Sequence, residues 1–244
     1  MRTAVRAAAL LAVAALPFTL TACSSGDSAN SAGSDAKAAA KPAAKSAQNP
    51  DATLAKGAAL KRSLAPASFF GAGYRIDQDT ARDTGTSYQE PSSDPAALSK
   101  PDCTKLGGVS WLALTGDAGV SFAQNDYVNE KTTADIAQEI DVFRGDKAAT
   151  VLQHLKKAIA ACPAYKDTDT KSQVKVAGAD TAGLGDEAYN ITLTDPAWEN
   201  GSTLIAVRKG AAVVTVMSTD GHDNGAATAK KLATKVTGAL PTGS

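Results

Sequence analysis

Residues 24–50 contain no Val, Ile, Leu, Met, Phe, Trp or Tyr, and this absence sets the limits of any folded core. The segment is made mostly of Ala, Ser, Lys, Gly and Pro. Such a segment buries too little apolar surface to offset the entropy lost on ordering, so residues 23–50 are predicted to be a disordered tether. The core must therefore come from residues 51–244, a length typical of one domain.

The amino terminus has the pattern of an export signal. Arg2 and Arg6 precede the mainly apolar run 7–20, which is too short to serve as a stable membrane span. Residues 1–22 are therefore predicted to be a signal peptide. The run ends in Leu20-Thr21-Ala22-Cys23, which resembles the lipobox of bacterial lipoproteins.

The lipobox resemblance implies that Cys23 receives a diacylglycerol group and becomes the first residue after cleavage. Two acyl chains satisfy the two-signal requirement for stable anchoring. We therefore expect a lipid-anchored protein on the outer face of the cell membrane. The alternative is plain secretion, with cleavage near Ala22 and a free thiol at the new terminus.

The charge balance argues against one class of partner. The chain has 25 basic and 25 acidic residues and a formal net charge of zero. Without a basic excess, it cannot release many counterions from a phosphate backbone. Nucleic acid is therefore not expected to be a partner.

Hydrophobic periodicity predicts an α+β domain with a mainly antiparallel sheet of about five to six strands, packed against two or three helices. A short amphipathic helix is expected at 54–61, a long surface loop at 77–102, and helices at 147–161 and 224–238. Alternation predicts strands at 109–113, 120–122, 189–193, 203–208 and 211–218. Residues 133–143 fit either a helix or a strand, and we favour a strand. Lys209-Gly210 is expected to be the turn of the last hairpin, and Asp146 and either Asp223 or Asn224 the helix caps.

Cys103 and Cys162 are the two cysteines that remain once Cys23 is assigned to lipid. Disulfides persist in exported domains, so these two residues are predicted to be bonded. The bond would join the end of the long loop to the middle helix. The alternative is two buried free thiols.

The sequence offers little material for catalysis or for cofactor binding. His154 and His222 are the only histidines, too few for a metal set or a nucleophile with its base. We therefore predict no catalytic residues, no metal and no cofactor. Trp198, in a loop between strands, is the main candidate for ligand contact, with Trp111 second and better explained as core.

Several segments together resemble actinobacterial cell-envelope lipoproteins, with a domain similar to the extracytoplasmic sensor domain of mycobacterial protein kinase H. The resemblance covers about residues 51–240 and is carried by Cys103, Trp111, Ala148–Cys162, Leu184–Tyr189, and the hairpin from Val207 to Val216. It implies an α+β domain with a ligand-binding cleft. That family commonly has two disulfides, whereas this chain has cysteines for one.

These observations lead to a first hypothesis of a non-catalytic ligand-binding or sensing module of the bacterial envelope. Its ligand would be a small molecule or a cell-wall component. A scaffold that binds another envelope protein is the alternative, and a cell-wall hydrolase that uses paired carboxyl groups is third.

Overall fold

A single nine-stranded sheet forms the centre of the computed structural model, which describes residues 51–107 and 114–244. Every pair of neighbouring strands is antiparallel. The strand order is β1-β3-β4-β9-β8-β7-β6-β5, and β2 lies beside β1 along the same edge of β3. The strands are β1 Tyr74–Ile76, β2 Arg82–Asp83, β3 Ser121–Asn129, β4 Ile136–Val142, β5 Ala164–Lys166, β6 Gln173–Asp180, β7 Glu187–Thr194, β8 Ser202–Lys209 and β9 Ala212–Ser218.

Helices lie on both faces of the sheet. They are α1 Gly57–Lys61, α2 Pro95–Ser99, α3 Lys147–Ala161 and α4 Ala226–Gly238, with short 3₁₀ helices at Ala67–Phe70 and Cys103–Gly107. We call the side of the sheet that α3 covers the α3 face, and the side that α1 and α4 cover the α4 face. The α+β class and the mainly antiparallel sheet are as predicted.

The hairpin β8–β9 is buried on both sides because successive side chains of a strand point to opposite faces. Val213 and Met217 join the core of the α3 face, whereas Val214 and Val216 join the core of the α4 face. This explains the near-continuous apolar run in the sequence. At roughly 25 cal/mol per Å² of apolar surface, this two-sided burial makes the hairpin the centre of the hydrophobic stabilisation.

The prediction of five to six strands was too low, because four strands lack the apolar alternation that marks a half-buried strand. β1, β2 and β5 are only two or three residues long, and β6 is exposed at six of its eight positions. The segment 77–102 was predicted to be one long loop, but it contains the short strand β2 and the short helix α2. The predicted strand at 109–113 lies outside the described residues.

Three local details differ from the predictions. Lys209 pairs with Ala212, so the hairpin turn is Gly210-Ala211 rather than Lys209-Gly210. Asp146 occupies the N-cap position of α3, as predicted, but its side chain makes no capping hydrogen bond. At α4 the residue at the N-cap is Gly225, with a φ of 79°, and a Cβ there would collide with the Ser218 carbonyl oxygen. Asp223 still contributes, since its carboxylate accepts a hydrogen bond from the Ala227 N–H at 2.8 Å.

The first and last described segments lie against each other. The Ala55 N–H donates to the Gly243 carbonyl oxygen at 2.9 Å, and the Ser121 hydroxyl donates to the Ala55 carbonyl oxygen at 2.6 Å. These bonds hold the start of the domain at the end of the sheet where β3 begins. Within the described ranges, the helices are all too short or too polar to cross a membrane.

Candidate functional site

The loop that follows β2 forms one wall of an open cavity of about 630 Å³. The start of the domain forms another wall, and the turn between β4 and α3 contributes an arginine. We call this space the loop cavity; it is lined by Asp51, Lys56, Thr86, Ser87, Tyr88, Glu90 and Arg144. Its lining is polar and charged.

Arg144 is held in place by a two-pronged contact with Asp51. Its Nε and Nη2 atoms lie 2.6 and 2.7 Å from the two oxygens of the Asp51 carboxylate. These hydrogen bonds hold the pKa of Asp51 below its ordinary value. The bidentate geometry fixes the plane of the guanidinium group. It uses Nε and Nη2, so Nη1 does not contact Asp51.

The remaining nitrogen of Arg144 has only a weak partner. Its Nη1 lies 3.7 Å from a Glu90 oxygen, and the Glu90 side chain is 92% exposed. Exposed ion pairs of this kind contribute about 0–1 kcal/mol. Glu90 is therefore easily displaced by another anion.

Lys56 is the second cation of the loop cavity. Its Nζ lies 5.5 Å from the centroid of the Tyr88 ring, a cation–π distance. Tyr88 is fixed in turn, because its hydroxyl donates to the Leu54 carbonyl oxygen at 2.6 Å. Within residues 51–107 and 114–244, no carboxylate forms an ion pair with Lys56. The loop cavity thus offers two cationic groups with unused hydrogen-bonding capacity.

A smaller cavity of about 310 Å³ lies between the turn before β7 and the end of α4. Its lining includes Lys209, whose ammonium already donates to the Thr237 carbonyl oxygen at 3.2 Å. Because its cation is engaged, this cavity is the weaker candidate.

A second polar site lies on the α3 face, where Glu139 and Asp141 project from the same side of β4. Their carboxyl groups share a hydrogen bond. Burial raises the pKa of Glu139 to about 7, and burial together with the charge of Glu139 raises the pKa of Asp141 well above its ordinary value. We call these two residues the carboxyl pair. The alternative of a cell-wall hydrolase that uses paired carboxyl groups stays a prediction.

The predicted disulfide is present between Cys103 and Cys162. Cys162 is fully buried at the end of α3, and Cys103 packs against the same core. The bond therefore ties the 3₁₀ helix at 103–107 to the α3 face. It lies among core side chains, which agrees with a structural role.

The other predicted site residues are not brought together. Trp198 is half-buried and packs against the core of the α3 face rather than lining either cavity described above. Its role in ligand contact stays a prediction. Cys23 and Trp111 lie outside the described residues, so the lipid anchor and the second tryptophan also stay predictions.

His154 is fixed by a buried aspartate. Its Nδ1 lies 3.0 Å from Asp117 Oδ2, and Lys147 Nζ lies 2.9 Å from Asp117 Oδ1. The Asp117 side chain is only 3% exposed, so the Lys147 ammonium compensates a buried charge, and the His154 ring adds a second polar contact. They join α3 to the segment that precedes β3.

Sequence reasoning missed both the loop cavity and the carboxyl pair. The loop cavity combines residues from three distant parts of the chain, which no local pattern could connect. The carboxyl pair had a signal in the alternation of β4, Ile136-Ala-Gln-Glu139-Ile140-Asp141-Val, where two acids share one face. In comparisons with known proteins, no family model and no curated protein matches this chain.

Proposed function

We propose that this chain is a lipid-anchored, extracytoplasmic binding module of the bacterial cell envelope that acts without catalysis. Its ligand is a small molecule or wall fragment that carries a carboxylate or phosphate and binds in the loop cavity. The observation that carries the proposal is the pair of under-used cations, Arg144 and Lys56, in a cavity of about 630 Å³.

The chemistry of the lining favours an anionic group. Asp51 orients Arg144 without using its Nη1, so a bound carboxylate or phosphate accepts a charge-assisted hydrogen bond there. Glu90 occupies that position only loosely, and a ligand anion takes its place. Thr86 and Ser87 supply hydroxyl groups to the polar remainder of the ligand.

The expected anchor and tether fit this role. The acylated Cys23 would hold the protein at the membrane, and residues 23–50 would let the domain reach about 30 Å from it, at 5–6 Å times the square root of the segment length. A binding module on such a tether samples the envelope near its own membrane. The resemblance to an extracytoplasmic sensor domain points in the same direction.

A thermal-shift screen of small carboxylates, inorganic phosphate and soluble wall fragments tests the proposal. A ligand that binds only the folded state raises its stability by RT ln(1+[L]/Kd), about 2.7 kcal/mol at one hundred times Kd. Lys56→Gln should weaken binding at least tenfold. Glu90→Gln should strengthen it severalfold, because the competing carboxylate is removed.

Lys100→Gln is the matched control, since Lys100 is exposed at the end of α2 and does not line the loop cavity. Its affinity should equal that of the wild type. If no anion raises the melting temperature, or if Lys56→Gln binds as well as Lys100→Gln, the loop-cavity proposal fails. A protein partner that co-purifies under those conditions would support the scaffold function instead.

A further inference from the structure

The carboxyl pair contains a buried oxygen that has no hydrogen-bond partner. Asp141 is 5% exposed, and no donor reaches its Oδ2 atom anywhere in the described part of the chain. Leaving such an oxygen unpaired costs roughly 1–3 kcal/mol, more for a charged group. A bound group that donates a hydrogen bond to Asp141 Oδ2 would remove this cost.

The surroundings of the carboxyl pair are short of positive charge. Asp126 on β3 adds a third acid that acts on Glu139. Arg82 is the basic group whose charge acts on both members of the pair, but it is exposed and its Nε donates to Gln124 at 3.0 Å. Among the described residues, no basic nitrogen lies within 4 Å of either carboxyl group of the pair. The patch is therefore complementary to a cation.

The outer residues of the site are partly exposed, whereas the inner ones are buried. Glu139 and Asp126 are half-buried, whereas Asp141, Gln124 and Thr215 form a buried floor. A ligand group can therefore reach Glu139 from solvent, and Asp141 lies two residues further along β4 on the same side. A compact ammonium with three donors suits this arrangement better than a broad guanidinium.

We propose that the carboxyl pair is a binding site for a primary ammonium group, which donates one hydrogen bond to Asp141 Oδ2 and another to Glu139. This site is separate from the loop cavity and does not depend on it. A metal ion is the less suitable occupant, because the described residues contain no group of three His, Cys, Asp or Glu side chains arranged to hold one.

Binding at this site is coupled to a proton. The pKa of Glu139 is about 7, so below that pH its carboxyl group is neutral. The ammonium then displaces the Glu139 proton, which leaves to solvent, while Asp141 keeps the proton it shares with Glu139. Affinity should therefore be about tenfold weaker at pH 6 than at pH 8, since one tenth as much of Glu139 is ionised at pH 6.

The experiment titrates the full chain with n-butylammonium chloride, and with 1-butanol as the uncharged analogue, by NMR and calorimetry. The ammonium should bind and the alcohol should not. The affinity should fall about tenfold from pH 8 to pH 6, with release of close to one proton at pH 6. Glu139→Gln should weaken binding at least tenfold at pH 8, whereas Glu130→Gln, an exposed acid in the turn after β3, should leave it unchanged.

Three results would overturn the proposal: equal binding of the alcohol, an affinity independent of pH, or wild-type affinity in Glu139→Gln. If Glu139→Gln fails to fold, the proton count and the pH dependence of the wild-type protein decide the question. A failure here leaves the loop cavity unaffected, because that site is tested with anions and through Lys56.

Discussion

Glu139 and Asp141 are placed where burial opposes their ionisation, and in residues 51–107 and 114–244 no cation lies close enough to form an ion pair with either. Desolvation is the first cause of both raised pKa values, and the negative field of one carboxylate adds to the shift of the other. Each therefore favours the protonated form in the folded protein. In the unfolded chain both would titrate near their ordinary values of about 4.

This difference predicts that stability falls as the pH rises. A group whose folded pKa is raised contributes stability that is fully present below its unfolded pKa and is lost as the pH rises through the folded pKa. The carboxyl pair should therefore make the protein more stable near pH 5 than near pH 8, because the unfolded chain gives up these protons at about pH 4 whereas folded Glu139 keeps its proton up to about pH 7. Chemical denaturation at both pH values measures this.

The variant Glu139→Gln should flatten that dependence, because a neutral amide cannot ionise. Glu130→Gln should retain the wild-type slope. Equal free energies of unfolding for the wild type at pH 5 and pH 8 would contradict the prediction that ionisation of the carboxyl pair destabilises the folded protein.

The polar residues of β4 could not be interpreted from sequence alone for a specific reason. Ile140 and Val142 indicate one buried face, so the alternate positions would ordinarily be solvent-facing. β4 is instead an interior strand, paired with β3 on one side and β9 on the other, and its second face is largely buried too. Only the topology of the sheet shows that Asp141 is a buried acid.

At the scale of elements, hydrophobic periodicity predicted helices and strands best where a segment buries many of its apolar side chains. The helix at Lys147–Ala161 matches the predicted range because a single apolar stripe faces the sheet. β8 and β9 were predicted as the two strands of a hairpin, and the structure shows both buried along nearly their whole length. β6 was missed because it is mostly exposed, and its strand conformation depends on pairing with β5 and β7 rather than on its own side chains.

The disulfide is the element-level feature with the largest predicted effect on stability. It closes an interval of 59 residues, for which the chain-entropy model gives roughly 4 kcal/mol. The double variant Cys103→Ser/Cys162→Ser should lose about that amount in urea denaturation. Reductant should destabilise the wild type similarly and leave the double variant unchanged, and a loss below about 1 kcal/mol would contradict the expected contribution.

At the scale of the whole molecule, the loop cavity forms only when three separate parts of the chain come together. Asp51 and Lys56 come from the start of the domain, residues 86–90 from the loop after β2, and Arg144 from the turn before α3. The ion pair between Asp51 and Arg144 brings two of these parts together. Sequence reasoning could predict a surface loop at 77–102 but had no means of finding the residues that form a cavity with it.

The attachment of the whole molecule to a membrane is a prediction of the sequence. Cells that express the wild type should incorporate radiolabelled palmitate into the protein and retain it in the membrane fraction. Cys23→Ser should abolish the label and release the protein from that fraction, because the thioether cannot form. Ser24→Ala is the control and should behave as the wild type; an unlabelled wild type would contradict the lipobox assignment.

The contact between Ala55 and Gly243 has a practical consequence for anyone who labels this protein. A fluorophore or affinity tag fused after Ser244 would sit close to Ala55, near the start of the described part of the chain. The turn at 131–133 lies at the opposite end of β4, whose seven residues span about 24 Å at 3.4 Å per residue. A reporter inserted there would stand well away from both ends of the described domain.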